Sequence, residues 1–386
     1  MEQNRNTKLK IALLSVYLVT ASLNAITANI PEMAKPFSTV PLYVIELIAT
    51  IPSLFQMVGV LCGAHVARRI GYKKSAVLGL LCCGVGGVIP FFIQNFVLIF
   101  ATRCLFGLGC GLISAVMLTM IVHFFTGDTR STMIGLTGSV GGLGSALSSF
   151  IAGRLLVFGW HASFAVYSTA FAVMALIITM VPEAHIVSTS RKRTGSSAKQ
   201  GGWLSLCALT LLSFTSTLLA TFFIIKASTL ITASGLGTAQ DGSLAITFIS
   251  IGSLLAGAMY GKLYARLKAK ALVLFYIVSA AGLLCGVVRS LAVIYIGAFL
   301  IGWGLSAFTP YFQEKVSRDF SHFGETGTSF ILVSQALGAF AAPYYGNLLQ
   351  AVHPVLTAQF AITGGLYICL AAIALILSIR SAQNQE

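Results

Sequence analysis

Twelve apolar stretches of about 20 residues run almost end to end through these 386 residues, and that pattern leaves few folds open. A helix of that length, rising about 1.5 Å per residue, spans the roughly 30 Å hydrocarbon core of a bilayer. The stretches lie near 10 to 30, 42 to 65, 75 to 94, 96 to 124, 132 to 157, 162 to 181, 203 to 226, 242 to 262, 271 to 288, 291 to 313, 328 to 350 and 357 to 379. Hydrophobic residues make up 57% of the chain and charged residues 9%, more apolar surface than one water-soluble core can bury. Polar and apolar residues do not alternate over ten-residue segments as in an outer-membrane barrel, so helices are the spanning element. The expected fold is an all-α integral membrane protein. Residues 10 to 30 have a basic start and small residues near Ala25, yet are read as a first helix rather than a cleaved secretory signal.

The net charge of +14 would suggest nucleic acid in a soluble protein, but its distribution points elsewhere. With the amino terminus in the cytoplasm, Arg5, Lys8, Lys10, the 68 to 74 cluster, Arg130, the 191 to 199 run, the 262 to 270 cluster, Lys315, Arg318 and Arg380 share one side. Lys35, Arg103, Arg154, Lys226 and Arg289 fall in the outer half or outside. This is the positive-inside distribution, and it places both termini in the cytoplasm of a protein of the cell inner (plasma) membrane. No nucleic-acid partner is expected.

The cysteines (Cys62, Cys82, Cys83, Cys104, Cys110, Cys207, Cys285 and Cys369) all fall in apolar stretches without a CxxC pair, and read as small buried residues. The histidines are scattered singly. No HExxH, Walker or GxSxG sequence is present, so neither an enzyme nor a metal or other cofactor is expected.

One polar segment, 182 to 202, holds Arg191-Lys192-Arg193, Gly195-Ser196-Ser197 and Lys199. It reads as a basic cytoplasmic linker between two six-helix bundles, 1 to 181 and 203 to 386, that fixes topology or touches anionic headgroups. Sliding the second half onto the first by 198 residues aligns Gly63 with Gly261, Ala67 with Ala265 and Arg68 with Arg266. Many secondary carriers are built by such duplication, with the substrate site near mid-membrane between the repeats.

Three sequences carry a resemblance. After the second helix, Ala67-Arg68-Arg69-Ile70-Gly71-Tyr72-Lys73 fits the later part of a loop signature of the form G-x-L-a-D-r-x-G-r-k, echoed in the second half by Gly261, Leu263, Arg266 and Lys270. The fourth helix reads Arg103-Cys104-Leu105-Phe106-Gly107-Leu108-Gly109-Cys110-Gly111, an R-x-x-x-G-x-G sequence. The fifth carries Gly135, Gly138, Gly141, Gly142, Gly144 and Gly153. On these grounds the chain resembles the major facilitator superfamily, and within it the drug and metabolite proton antiporter branch.

The resemblance implies twelve helices in two pseudo-symmetric six-helix bundles, working by alternating access. It implies a gating role for Arg68, Arg69, Gly71, Lys73, Gly261 and Arg266. The family's acidic loop residue is absent, since Arg68 and Ala265 stand in its two places. Basic residues that only fix topology are the other reading of that loop. Gly107, Gly109, Gly111, Gly138, Gly141 and Gly142 are expected to let helices pack closely or hinge, although the proline that completes the antiporter signature is missing. The first, fourth, seventh and tenth helices would surround the cavity, which makes Asn24, Arg103, Thr217, Trp303 and Tyr311 candidate lining residues, and the polar Gln56 and Gln335 of the second and eleventh helices are added to them.

Two charges within the first bundle stand out. An arginine at the depth of Arg103 is costly unless it meets water or a partner, by snorkelling to headgroups or by facing a cavity. Glu46, five residues into the second helix, is a carboxylate at comparable depth and a candidate proton carrier with Arg103. A static ion pair or simple interface exposure is the alternative. The first helix has no acidic residue, and carriers of lipophilic dications need buried negative charge. The expected function is proton-coupled export of small neutral or anionic amphiphiles by a monomer. The expected partners are substrate, protons and membrane lipid. An uptake carrier for a small organic anion, a lipid flippase, or a transporter-like sensor that moves nothing are the alternatives.

Overall fold

A computed structural model describes residues 2–183, 202–320 and 324–383, and among these every regular element is helical. The chain divides into two compact units, Met1–Ser190 and Arg191–Glu386. The expected linker, 182 to 202, lies almost wholly outside the described residues.

The first unit contains α1 (Glu2–Ala21), α2 (Leu42–Ile70), α3 (Tyr72–Val88), α4 (Phe96–Phe124), α5 (Gly127–Leu155) and α6, which opens as a 3-10 stretch, Trp160–Ser168, and continues as α-helix Thr169–Met180. After Ala21 the first helix loosens into 3-10 turns at Ser22–Asn24 and Thr27–Asn29, then closes with a short helix, Ile30–Ala34. The second unit contains α7 (Trp203–Ala233), α8 (Ala239–Leu267), α9 (Ala271–Cys285), α10 (Leu291–Asp319), α11 (Gly324–Val352) and α12 (Leu356–Gln383). Ten of these segments are long and apolar enough to cross a membrane. Of the other two, α9 is a shorter apolar helix, and α11 has 29 residues with Pro343 inside. Twelve helices therefore fit the twelve apolar stretches. Several helices outrun them, α10 by reaching Asp319, because a helix continues into the polar interface where its charged end is solvated.

Local chemistry sets the helix ends. The Asn95 side chain accepts from the N–H groups of Val97 and Leu98 at 3.0 and 3.2 Å and so starts α4. Thr238 and Asp241 form a capping box at the start of α8. Gly71 joins α2 to α3 at φ 91°, a left-handed conformation that a side chain resists.

Small residues set how closely the helices approach. A side chain at Gly107 would run into the Pro52 backbone, and one at Gly111 into the Gln56 carbonyl, so α4 lies directly on α2. Gly109 meets the Gly79 carbonyl and Cys83 in the same way, so α3 approaches α4 from another side. The second unit repeats the device. Gly302 lies against the Ile249 backbone of α8, and Gly304 against Ser279 and the Phe275 carbonyl of α9. Glycines at corresponding places in the two units make the duplication visible in packing, beyond the few identities of the loops.

Candidate substrate and coupling site

The first unit is built around a buried cation. Arg103 stands one turn before Gly107 on α4 and has no solvent exposure. Its Nε donates to the Ile48 carbonyl of α2 at 3.4 Å, and Nη2 donates to the Tyr167 hydroxyl of α6 at 3.2 Å. Its guanidinium carbon lies 4.4 Å from the centre of the Phe106 ring, 4.8 Å from Tyr167 and 6.0 Å from Phe164. Nη1 is buried without a hydrogen-bond acceptor. Neither way of wetting this side chain, snorkelling or an open cavity, describes it here. It is enclosed by rings whose negative faces hold the charge in place of water.

Glu46 is also fully buried, on α2 two residues before the Ile48 carbonyl that Arg103 reaches. Arg103 is therefore bonded to the backbone of the helix that carries Glu46. A buried guanidinium without a carboxylate beside it costs several kcal/mol even after relaxation, so Arg103 is not there for stability alone. Sequence reasoning missed Tyr167, Phe106 and Phe164, because an aromatic residue inside an apolar run shows no periodic signal.

The second unit has no such charge at the matching place. Ala298 stands one turn before Gly302, as Arg103 does before Gly107. A neutral knot holds that unit together: the Tyr276 and Ser216 hydroxyls lie 2.8 Å apart, and the Tyr367 hydroxyl donates to the Ser216 carbonyl at 2.5 Å. Its own buried cation, Lys226, lies on α7 with its stem against Gly346 of α11.

A family model described as Major Facilitator Superfamily matches residues 12–343. The chain belongs to the major facilitator superfamily. Among curated relatives of this superfamily transporter, the Bacillibactin exporter of Bacillus subtilis (strain 168) is 26% identical over 161 residues, 40% of each chain. The multidrug efflux pump SdrM of Staphylococcus aureus (strain N315) is 25% identical over 177 residues, 44% of this chain and 39% of that one. A hexuronate transporter of Bacillus subtilis (strain 168) is 31% identical over 103 residues, 26% of this chain and 24% of that one. The chain thus spans about two fifths of the length of the two efflux relatives. In fold it is similar to a peptide transporter POT solved in complex with alafosfalin, with a TM-score of 0.76 and 15% identity over 96% of this chain and 94% of that one. This superfamily member is a multi-pass membrane protein.

Other residues singled out from the sequence are spread through both units. Asn24 and Gln56 are half-buried in the first. In the second, the half-buried Thr217 donates its hydroxyl proton to the Ser213 carbonyl of its own helix at 3.1 Å. Trp303 stacks edge-on against Phe299 at 6.3 Å. Tyr311 is buried. Gln335 accepts from the Thr309 hydroxyl at 3.2 Å, while its amide nitrogen is buried without an acceptor.

In the loop signature, Lys73 donates to the Ile178 carbonyl at 2.8 Å and so caps the end of α6. Arg68 donates to the Ala64 carbonyl of its own helix at 3.2 Å, and Arg69, Gly261 and Arg266 are exposed. On α5, a side chain at Gly138 would meet nothing within 4 Å and one at Gly141 would just touch Ala21. The tight contact there is at Gly144, against the Leu18 backbone of α1. Gly142 is half-buried.

Proposed function

We propose that this transporter works by alternating access as a proton-coupled exporter of small neutral or anionic amphiphiles, in the cell inner membrane with both termini cytoplasmic. The observation that carries the reading is the fully buried Glu46 on the helix whose backbone Arg103 binds. A carboxylate that is buried in one state and wetted in the other changes its proton affinity between them, and a nearby cation sharpens the change. Among the described residues no carboxylate pairs with Arg103 in this conformation, and Nη1 retains a free donor for a group that arrives in another. Likeness to two efflux proteins supports the outward direction. Asn24, Gln56, Thr217, Trp303, Tyr311 and Gln335 are the proposed substrate contacts, and Arg68, Arg69, Gly71, Lys73, Gly261 and Arg266 the proposed gating residues.

The test uses liposomes reconstituted with Glu46→Gln. A neutral amide cannot carry the proton, so gradient-driven substrate movement is expected to vanish while exchange of labelled for unlabelled substrate continues. Gradient-driven movement at the normal rate would remove Glu46 from the mechanism. Likeness to a hexuronate transporter favours a second reading, uptake of a small organic anion paired with Arg103. Inward accumulation of an anion by the same liposomes would select it.

A further inference from the structure

The second unit holds an exposed carboxylate beside a group of aromatic rings that the coupling scheme leaves unused. Glu314 lies near the end of α10, one turn beyond Tyr311 and on the same face. Across from it on α8, Tyr260 and Tyr264 also lie one turn apart, with their rings stacked at 5.6 Å and 18°. Tyr264 meets Tyr311 edge-on at 6.1 Å, and Tyr260 rests on Phe275 of α9 at 6.2 Å. The Glu314 carboxylate stands beside the Tyr260 hydroxyl, which also has Tyr264 and Tyr311 as neighbours. The Tyr260 hydroxyl is buried, yet completes no hydrogen bond of good geometry.

The surroundings make this placement informative. Lys262, Arg266, Lys268, Lys270, Lys315 and Arg318 crowd the same end of the unit. Among the described residues, however, Glu314 forms no ion pair with them and keeps its carboxylate toward the tyrosines. The carboxylate at the other end of α8 differs. Asp241 is consumed by the capping box and by the Tyr295 hydroxyl at 3.2 Å.

We propose that Glu314, Tyr260, Tyr264 and Tyr311 form a binding site for an alkylammonium group. Aromatic faces attract such a cation through their quadrupoles, and the carboxylate supplies the counter-charge. A free phosphate or carboxylate would instead be repelled by Glu314 and attracted to the basic rim outside. The ammonium could belong to a soluble amphiphile or to a choline or ethanolamine lipid headgroup. The site uses residues of the second unit and none of the coupling pair Glu46 and Arg103, so it stands or falls independently of proton coupling.

The test is a saturation-transfer NMR titration of the full chain in phosphatidylglycerol nanodiscs with choline and with its uncharged carbon isostere, 3,3-dimethylbutan-1-ol. Choline is expected to bind about tenfold more tightly than the isostere, and Glu314→Gln to erase that preference. Tyr264→Leu, which keeps the carboxylate, is expected to weaken choline severalfold and guards against misfolding of the first variant. Equal affinity for the two probes, or a choline preference unchanged in both variants, would overturn the proposal. Repeating the titration with phosphatidylcholine in the discs separates the sources, and either result supports the site. Weaker choline binding there identifies the headgroup as occupant, and unchanged binding identifies a soluble ammonium.

Discussion

Arg103 shows what a single buried charge demands of its neighbours. Its ring enclosure and two donated bonds replace hydration, and Tyr167 supplies both a ring and an acceptor. Tyr167→Phe keeps the ring and removes the acceptor. It should lower stability by about 1 to 3 kcal/mol, seen as a lower unfolding temperature in detergent, and slow transport without abolishing it. Arg103→Ala should abolish transport while the protein still reaches the membrane folded, and normal transport by that variant would contradict the proposed role. Arg103→Lys should not rescue it, because an ammonium cannot bond the Ile48 carbonyl and Tyr167 together in the planar geometry of a guanidinium. At this scale the sequence was half legible. The R-x-x-x-G-x-G sequence picked out Arg103, but the rings that surround it come from α4 itself and from α6, and nothing in a linear reading brings Phe164 and Tyr167 to that place. Glu314 escaped for a related reason: its surface-like position at a helix end conceals the tyrosines that α8 sets beside it.

Helix contacts follow backbone more than side chains. Gly107, Gly111 and Gly302 each sit where a methyl group would strike a neighbouring backbone, whereas Gly138 has open space around it. Gly107→Ala and Gly302→Ala should each cost about 1 to 3 kcal/mol by forcing helices apart, and Gly138→Ala should be nearly neutral or slightly stabilising. Thermal unfolding of the three purified variants checks this, and equal losses at all three would remove the packing argument. Gly71→Ala should also destabilise, by about 1 to 2 kcal/mol, because its φ of 91° strains any residue with a Cβ. Element number and order were readable from hydropathy, since lipid admits few alternatives. Which glycines of a glycine-rich helix are tight was not: α5 carries several, and only contact with α1 distinguishes Gly144 from Gly138.

For the whole molecule, the two units share a packing plan but not a charge plan. Arg103 stands where Ala298 stands in the second unit, whose serine and tyrosine knot is neutral and packs on Phe308 further along α10. A duplicated scaffold with a buried arginine at only one of two matching places suits a carrier in which the proposed proton handling is concentrated in the first unit. That asymmetry is foreshadowed by the composition, with Glu46 and Arg103 as the conspicuous charges of the first six helices, but substrate and direction are written in contacts that no motif encodes. The decisive measurement is accumulation of labelled neutral, anionic and cationic amphiphiles in cells with and without this protein, repeated after an ionophore collapses the proton gradient. Proton-coupled export predicts lower accumulation of neutral or anionic compounds, abolished by the ionophore and by Glu46→Gln. Accumulation that is lowered equally with the gradient collapsed, or raised for an anion, would contradict it.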